Sequence, residues 1–366
     1  MVRVDGMVDR RNGGGVLLVS SNGAGMGHLT RLLAIASRLP EGVRRTFLSL
    51  SSAVPAVEAA GATWEYCPSF GALGGTTGAW NDMFAARLRL TLRTHRPDVV
   101  VFDGTWPYAG LLQVRAEVPD VAFVWSRRAM WRPTVTGAHL GVSSVFDLVV
   151  EPGEFAAERD VGATTRRSEA RRVGPVTLLD GPDLLPRRQA RRALGMPEDG
   201  KALLLTLGAG NINDITSDVG AVVTTVRERH PDWSVWLTRP PIAERGVDLE
   251  GVGTVQVYPL ARYLHAFDGA VAAAGYNSYH ELILAGVPTI WVPNQDTSTD
   301  DQGARARYAS DVGVGWCVED VAAEVGGALA ELVDDDGRAQ RRQAALARYP
   351  ANGAGAAADL VAGLLA

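Results

Sequence analysis

The amino-acid sequence predicts an α/β protein made of two Rossmann-like domains that face each other across a cleft. Three observations carry that prediction. Apolar runs of strand length alternate with helical patterns, the rhythm of βαβ units on a parallel sheet. A strand running into a glycine-rich turn, GVLLVSSNGAGMGH near the amino terminus, has a second version later in the chain, KALLLTLGAGNIND. A length of 366 residues also exceeds what one compact core usually supports.

In the first half, GVLLVS, RTFLSLSS, PDVVVFD, DVAFVW and DLVVEP read as strands, with HLTRLLAIASRL, PAVEAAG and LLQVRAEV as helical segments between them. Leu29, Leu32, Leu33, Ala36 and Leu39 recur at helical spacing, so that face packs on the sheet. Around residues 159 to 200 the texture becomes rich in arginine, proline and glycine, and the stretch reads as the crossing between domains. WSVWLTR, TVQVYPL, DGAVAAAG and VPTIWVPN are the later strands, and RAQRRQAALARY and GAAADLVAGLLA close the chain as helices. The expected division is an amino-terminal domain over 1–175, a carboxyl-terminal domain over 176–345, and a last segment, 346–366, that packs back on the first domain.

Composition narrows the function classes. A net charge of −5 gives no sign of a nucleic-acid partner, which usually requires a basic excess or stripe. Lys201 is the lone lysine, so arginine is the default base in this chain and a weaker marker of function than usual. Two cysteines far apart, Cys67 and Cys317, support neither a disulfide framework nor a zinc site, and suit a reducing cytoplasm. The sequence has no apolar run of about 18 residues and no signal-peptide centre in its first dozen. A cytoplasmic, soluble protein is expected; association with a membrane surface is left open and not favoured.

The most specific stretch is AAGYNSYHELILAGVPTIWVPNQDTSTDDQGARA, residues 273 to 306. It leaves a small-residue strand and enters a helix that Gly286 and Pro288 stop. Amides of Gly275 to Ser278 would sit at the helix start, where unpaired N–H groups and the dipole favour phosphate. Ser278 and Glu281 also have the spacing of a capping box, in which each would serve only the helix start.

This segment resembles the carboxyl-terminal motif of nucleotide-sugar glycosyltransferases of the GT-B fold, especially family 28, which includes the UDP-N-acetylglucosamine transferase of peptidoglycan synthesis. Plant UDP-sugar transferases carry GWNSxxE, a proline-containing strand end and DQxxNA; this chain has GYNSYHE at 275 to 281, VP at 292 and 293, and DQGARA at 301 to 306. The resemblance implies that Glu281 holds the ribose hydroxyls, that Asn277 and Ser278 meet the phosphates, and that Asp301 and Gln302 bind hydroxyls of the sugar. It further implies that Gly208, Gly210 and Asn211 lie against the diphosphate and that the nucleobase rests near Leu260. Arg305 stands where the plant enzymes have asparagine.

The amino-terminal turn departs from a dinucleotide fingerprint. Gly23, Gly25 and Gly27 give G-x-G-x-G, and the second strand ends in FLSLSS with no acidic residue for a ribose. His28, at the start of the next helix, is either a polar cap or a functional imidazole. GMGHLTR resembles the glycine-histidine loop of the same transferases, which implies that His28 is the general base on the acceptor. Asp103, at the end of PDVVVFD, is the expected carboxylate partner, or else a turn and cap residue in DGTWP. Trp106, Tyr108, Trp125, Met130 and Trp131 follow first-half strands and are candidates for an apolar acceptor pocket or for core.

The expected activity is an inverting, metal-independent transfer of a sugar, from UDP in preference to dTDP, to a small-molecule acceptor. No cofactor is expected, the nucleotide sugar being a co-substrate. A nucleotide-sugar hydrolase is an alternative, since Gly25 to Arg31 fits the GxGHxxR loop of relatives that use water. A nucleotide-sugar epimerase and a non-catalytic binder are the others.

Overall fold

The structure, a computed structural model, describes residues 14–21, 25–208, 215–239 and 249–365. Its first sheet comprises β1 (Gly15–Ser20), β2 (Arg44–Ser49), β3 (Thr63–Tyr66), β4 (Val99–Asp103), β5 (Ala122–Ser126), β6 (Leu148–Glu151) and β7 (Ala170–Arg172). The second comprises β8 (Lys201–Thr206), β9 (Trp233–Thr238), β10 (Gly253–Val255), β11 (Gly269–Ala273), β12 (Thr289–Val292) and β13 (Gly315–Cys317). All their pairings are parallel.

The strand orders are β3-β2-β1-β4-β5-β6-β7 and β10-β9-β8-β11-β12-β13. Both therefore reverse direction at the same place, between β1 and β4 and between β8 and β11. Such a switch point opens a crevice beyond the carboxyl ends of the strands, where open α/β sheets bind ligands. The register puts Ser20 beside Asp103 and Asp103 beside Ser126 at that edge. In the second sheet, Thr206 lies beside Ala272, just ahead of Gly208 and Gly275.

Parallel strands covered on both faces need near-continuous apolar sequence, which GVLLVS and VVVFD supply, and all their residues are buried. Helix Gly27–Ala36 covers one face of the first sheet, with Leu29, Leu32 and Leu33 in that core. Helix Thr77–His95 covers the other through Trp80, Phe84, Leu88 and Leu92, an i, i+4 stripe that the strand-and-helix pattern above does not include.

One part of the expected crossing belongs to the first sheet instead. Strand β7, Ala170–Arg172, lies inside the arginine-rich stretch and pairs with β6 at the sheet edge. It has no apolar alternation because both arginines are exposed, with Arg172 Nε bound to Glu151 Oε1 at 3.0 Å. The chain then passes to β8 and later returns, and helix Ala354–Ala362 packs on helix Gly27–Ala36 through Ala354, Ala357, Ala358 and Val361. The outgoing and returning passages are laced together. Gly353 N donates to Pro175 O at 2.8 Å, Thr177 N donates to Asn352 Oδ1 at 3.2 Å, and Asn352 Nδ2 donates to Thr177 O at 3.0 Å.

Gly353 permits that lacing, because a Cβ there would run into the backbone of Gly174. Gly353→Val is expected to destabilise the protein by about 1–3 kcal/mol, the usual cost of overpacking a fitted contact. Calorimetric melting checks this against Gly355→Ala, whose added Cβ meets nothing within 4 Å.

Candidate functional site

The first-sheet switch point positions the first group of side chains. After β1 the chain re-enters regular structure as helix Gly27–Ala36, which sets His28 in the first turn above the end of β4. His28 Nδ1 lies 2.6 Å from Asp103 Oδ1. Asp103 is completely buried, caps no helix, and accepts from three further donors: Ser126 Oγ at 2.6 Å, Arg31 Nε at 3.1 Å and Arg31 Nη2 at 2.6 Å. Burial would raise its carboxyl, but the Arg31 charge and the hydrogen bonds from His28 and Arg31 hold it down at about 2.

An ionised carboxylate only accepts, so His28 Nδ1 carries the ring proton and Nε2 keeps the lone pair. Arg31 Nη2 also stands 2.8 Å from Nδ1, yet Nδ1 cannot both donate to Asp103 and accept from Arg31. The ionised state of Asp103 decides for donation. Burial is the largest influence on His28 and lowers it from its ordinary value; Asp103 pulls upward, and the charges of Arg31 and Arg128 push down again. The result is a neutral imidazole with one free nitrogen.

The second group stands on helix Tyr276–Leu284. Gly275 is its N-cap, with extended backbone and no side-chain cap, so Ser278 and Glu281 fall at the third and sixth helical positions. The capping-box alternative is thereby overturned. Neither side chain has a hydrogen-bond partner among the described residues. Burial pushes the Glu281 carboxyl up to about 8.

The two helices meet directly. Asn277 Nδ2 donates to Gly27 O at 3.3 Å, while its Oδ1 is buried without a partner among the described residues. Thr30 Oγ1 and Tyr258 Oη are 3.1 Å apart. The buried Tyr276 ring has Arg31 at 4.9 Å and Arg305 at 5.8 Å, and its hydroxyl donates to Gly153 O at 3.0 Å and accepts from Val176 N at 2.9 Å.

The other expected positions divide. Gly208 follows β8 with φ +105°, a conformation that favours glycine. Gly210 and Asn211 lie outside the described residues. Leu260 is half-buried and opens the 3-10 turn Leu260–Ala266. Gln302 is beside the cradle, its Nε2 3.9 Å from where a Cβ on Gly275 would be, but its Oε1 accepts from Asn294 N at 3.0 Å. Asp301 caps its own helix, Gln302–Asp311, by accepting from Ala304 N at 2.9 Å. Both residues expected at sugar hydroxyls thus already serve their own loop. Trp125, Met130 and Trp131 are buried core, and Trp106 and Tyr108 are partly buried against it, Trp106 on Trp131 and Tyr108 on Phe84 and Phe102.

Sequence reasoning missed the groups that join the halves. Arg305 is fully buried and gives Nε to Glu154 Oε2 at 2.9 Å, Nη2 to Glu154 Oε1 at 2.5 Å and Nη1 to Asp300 Oδ1 at 2.6 Å. Beside it, His280 Nε2 accepts from Phe155 N at 3.0 Å. Trp131 bridges to Asp300 in antiparallel fashion, and Arg132 N donates to Thr299 O at 2.7 Å. The departure at Arg305 was the visible signal, but nothing in the spacing named Glu154 as its partner. Among the described residues no group of three or more His, Cys, Asp or Glu side chains could hold a metal ion. No helix among them is long and apolar enough to cross a membrane.

Residues 247–360 match the glycosyltransferase family 28 C-terminal domain. Over 144 residues the chain is 31% identical to the UDP-N-acetylglucosamine--N-acetylmuramyl-(pentapeptide) pyrophosphoryl-undecaprenol N-acetylglucosamine transferase of Deinococcus deserti, a match covering 39% of this chain. The chain spans about a third of that relative, 36% of its length. Among solved structures, the glycotransferase of kitacinnamycin superposes with a TM-score of 0.65 at 19% identity, covering 97% of this chain and 100% of that one. The spinosyn rhamnosyltransferase SpnG complexed with thymidine diphosphate gives 0.63 at 17%, covering 95% and 99%. At such identities the likeness establishes the GT-B fold.

Glu281 gives a signed pH prediction. Its folded value, about 8, lies above the ordinary 4.5, so the folded protein holds this proton where the unfolded chain has lost it. Stability therefore falls as pH rises through that window. Glu281→Gln is expected to melt higher than the parent at pH 8, with the difference vanishing toward pH 4, as read by thermal denaturation. Glu154→Gln leaves Arg305 with a neutral partner and should cost about 3–5 kcal/mol, the range for breaking a buried pair, in denaturant unfolding.

Proposed function

From a GT-B chain that carries a family 28 glycosyltransferase C-terminal domain, we propose a nucleotide-sugar-dependent glycosyltransferase that moves a hexosyl group to a hydroxyl of a small-molecule acceptor with inversion. The observation that carries this reading is the neutral His28, with Nδ1 on Asp103 and Nε2 unprotonated and without a partner among the described residues, on a helix touching the one that bears Glu281.

In this reaction the acceptor oxygen attacks the anomeric carbon as Nε2 of His28 takes its proton. The bond from that carbon to the diphosphate breaks, and its electron pair leaves with the nucleoside diphosphate. Asp103 steadies the imidazolium that forms. The first-turn amides of helix Tyr276–Leu284 receive the growing negative charge as fixed dipoles, and Gly208 lies just past the carboxyl end of β8, the strand beside β11 that leads into this helix. This scheme calls for no metal or other cofactor. Glu281, without a hydrogen-bond partner among the described residues, is suited to ribose hydroxyls; bonds to those hydroxyls would favour its charged form and offset the burial that raises it.

UDP is favoured over dTDP because the curated relative named above uses a UDP sugar, while the thymidine diphosphate complex of SpnG keeps dTDP as the competing donor. Trp106 and Tyr108, partly buried just beyond Asp103, suit an aromatic or apolar acceptor through the edges they leave exposed. Water is the competing acceptor, supported by the Gly25 to Arg31 pattern and the Arg31–Asp103 bonds.

The test begins with donor release. His28→Ala is expected to slow sugar transfer about 10²–10⁴-fold, the usual contribution of a positioned base. UDP affinity by calorimetry should be nearly unchanged, and undiminished turnover would remove the base assignment. UDP or dTDP, but not GDP or NAD, should raise the melting temperature, and activity should survive excess chelator. Sugar nucleotide consumed at the same rate with and without acceptors, yielding free sugar, would decide for the hydrolase.

A further inference from the structure

Arg31 is a buried charge beside the dyad that the reaction leaves without a task. It lies three residues after His28 on the same helix, so both side chains leave one face. Its fork is spent on Asp103, with Nε on Oδ2 at 3.1 Å and Nη2 on Oδ1 at 2.6 Å, and the Tyr276 ring covers it at 4.9 Å. With 3% of its side chain exposed it is almost fully enclosed. Asp103 Oδ1 is thus shared between a permanent cation and the His28 ring.

We propose that Arg31 is a positioning residue: its two-point grip fixes Asp103 in the orientation that keeps the His28 proton on Nδ1, and its charge beside the ring keeps Nε2 unprotonated and ready to accept. A carboxylate facing an imidazole alone would favour imidazolium. Here the guanidinium takes up much of that attraction, so Asp103 orients the ring while giving up part of its power to charge it.

Every charged group around the dyad fits this division. From β4 comes Asp103, from the end of β5 Ser126 and Arg128, and from beyond β6 Glu154, which acts on Arg31 at longer range. The opposite half contributes the Tyr276 ring on Arg31, Tyr258 on Thr30 and Glu281, which acts on Tyr258. Burial is the largest influence toward the neutral state of His28, Arg31 and Arg128 add to it, and Asp103 opposes them. The Tyr276 contact also ties the dyad to the helix expected to hold the leaving diphosphate.

The inference rests on the proposed reaction for its kinetic meaning alone, since the state of the His28 ring is measurable in the intact protein without substrate. Nitrogen-15 histidine spectra give the titration midpoint and tautomer of each ring, with His28→Gln identifying the signal. In Arg31→Gln the His28 midpoint should move up by about 1–3 pH units, the range for gain or loss of one close charge. Arg31→Lys keeps the charge and loses the fork. It should restore the low midpoint but not the single Nδ1–H tautomer. The acidic limb of the donor-turnover profile should shift with the midpoint in Arg31→Gln. A folded Arg31→Gln with the parental midpoint overturns the proposal. So does an Arg31→Lys that keeps the parental tautomer, and this second variant decides the matter if the first does not fold. Loss of turnover with the predicted ring behaviour intact would count against the proposed reaction and leave the role of Arg31 standing.

Discussion

The two halves of this protein meet around a cation that has no water to turn to. Arg305 belongs to the second half, yet two of its three close carboxylate contacts are to Glu154, from the first. A guanidinium stripped of solvent is tolerable only when its donors are matched. Undocking the halves would leave Arg305 with Asp300 alone and expose Glu154. The neighbouring Trp131 bridge and the Tyr276 hydroxyl bonds lie on the same seam. The short approach of Asn277 to Gly27, on which the proposed chemistry depends, is therefore a by-product of how this seam is neutralised.

The same demand for balance reaches the dyad. Arg31, Arg128 and Arg305 face Asp103, Asp300 and Glu154, with Arg128 placed 3.5 Å from Asp300. Such a cluster keeps each charge where it is because each depends on a neighbour of the opposite sign. The base proposed here, His28, would lose or gain a proton within it with little rearrangement, since the surrounding dipoles and charges are already fixed.

Much of this architecture was legible from local pattern. Apolar strands such as GVLLVS and the Leu29, Leu32, Leu33 stripe were readable because parallel sheets bury both faces. The pairing of His28 with Asp103 was readable because strands of one parallel sheet end at one edge. Strand β7 was not, because an edge strand of exposed arginines has no alternation to detect. The capping-box alternative failed for a related reason: Ser278 and Glu281 have the right spacing, and only the position of Gly275 as N-cap shows that they sit too far into the helix. The engagement of Asp301 and Gln302 within their own loop, and the Arg305–Glu154 pair, are contacts over distance that no spacing encodes.

The laced passages at 174–177 and 351–353 bear on how such a molecule moves. Two separate tethers would let one half slide or twist against the other. Bonded side by side through Gly353, Thr177 and Asn352, they act as a single pin. Rotation about that pin is the mode of relative motion that leaves both passages unstretched. Displacement then grows in proportion to distance from the pin. A small change of angle at the pin would consequently move the far lip of the cleft more than the pin itself, as a change in reach rather than in shape.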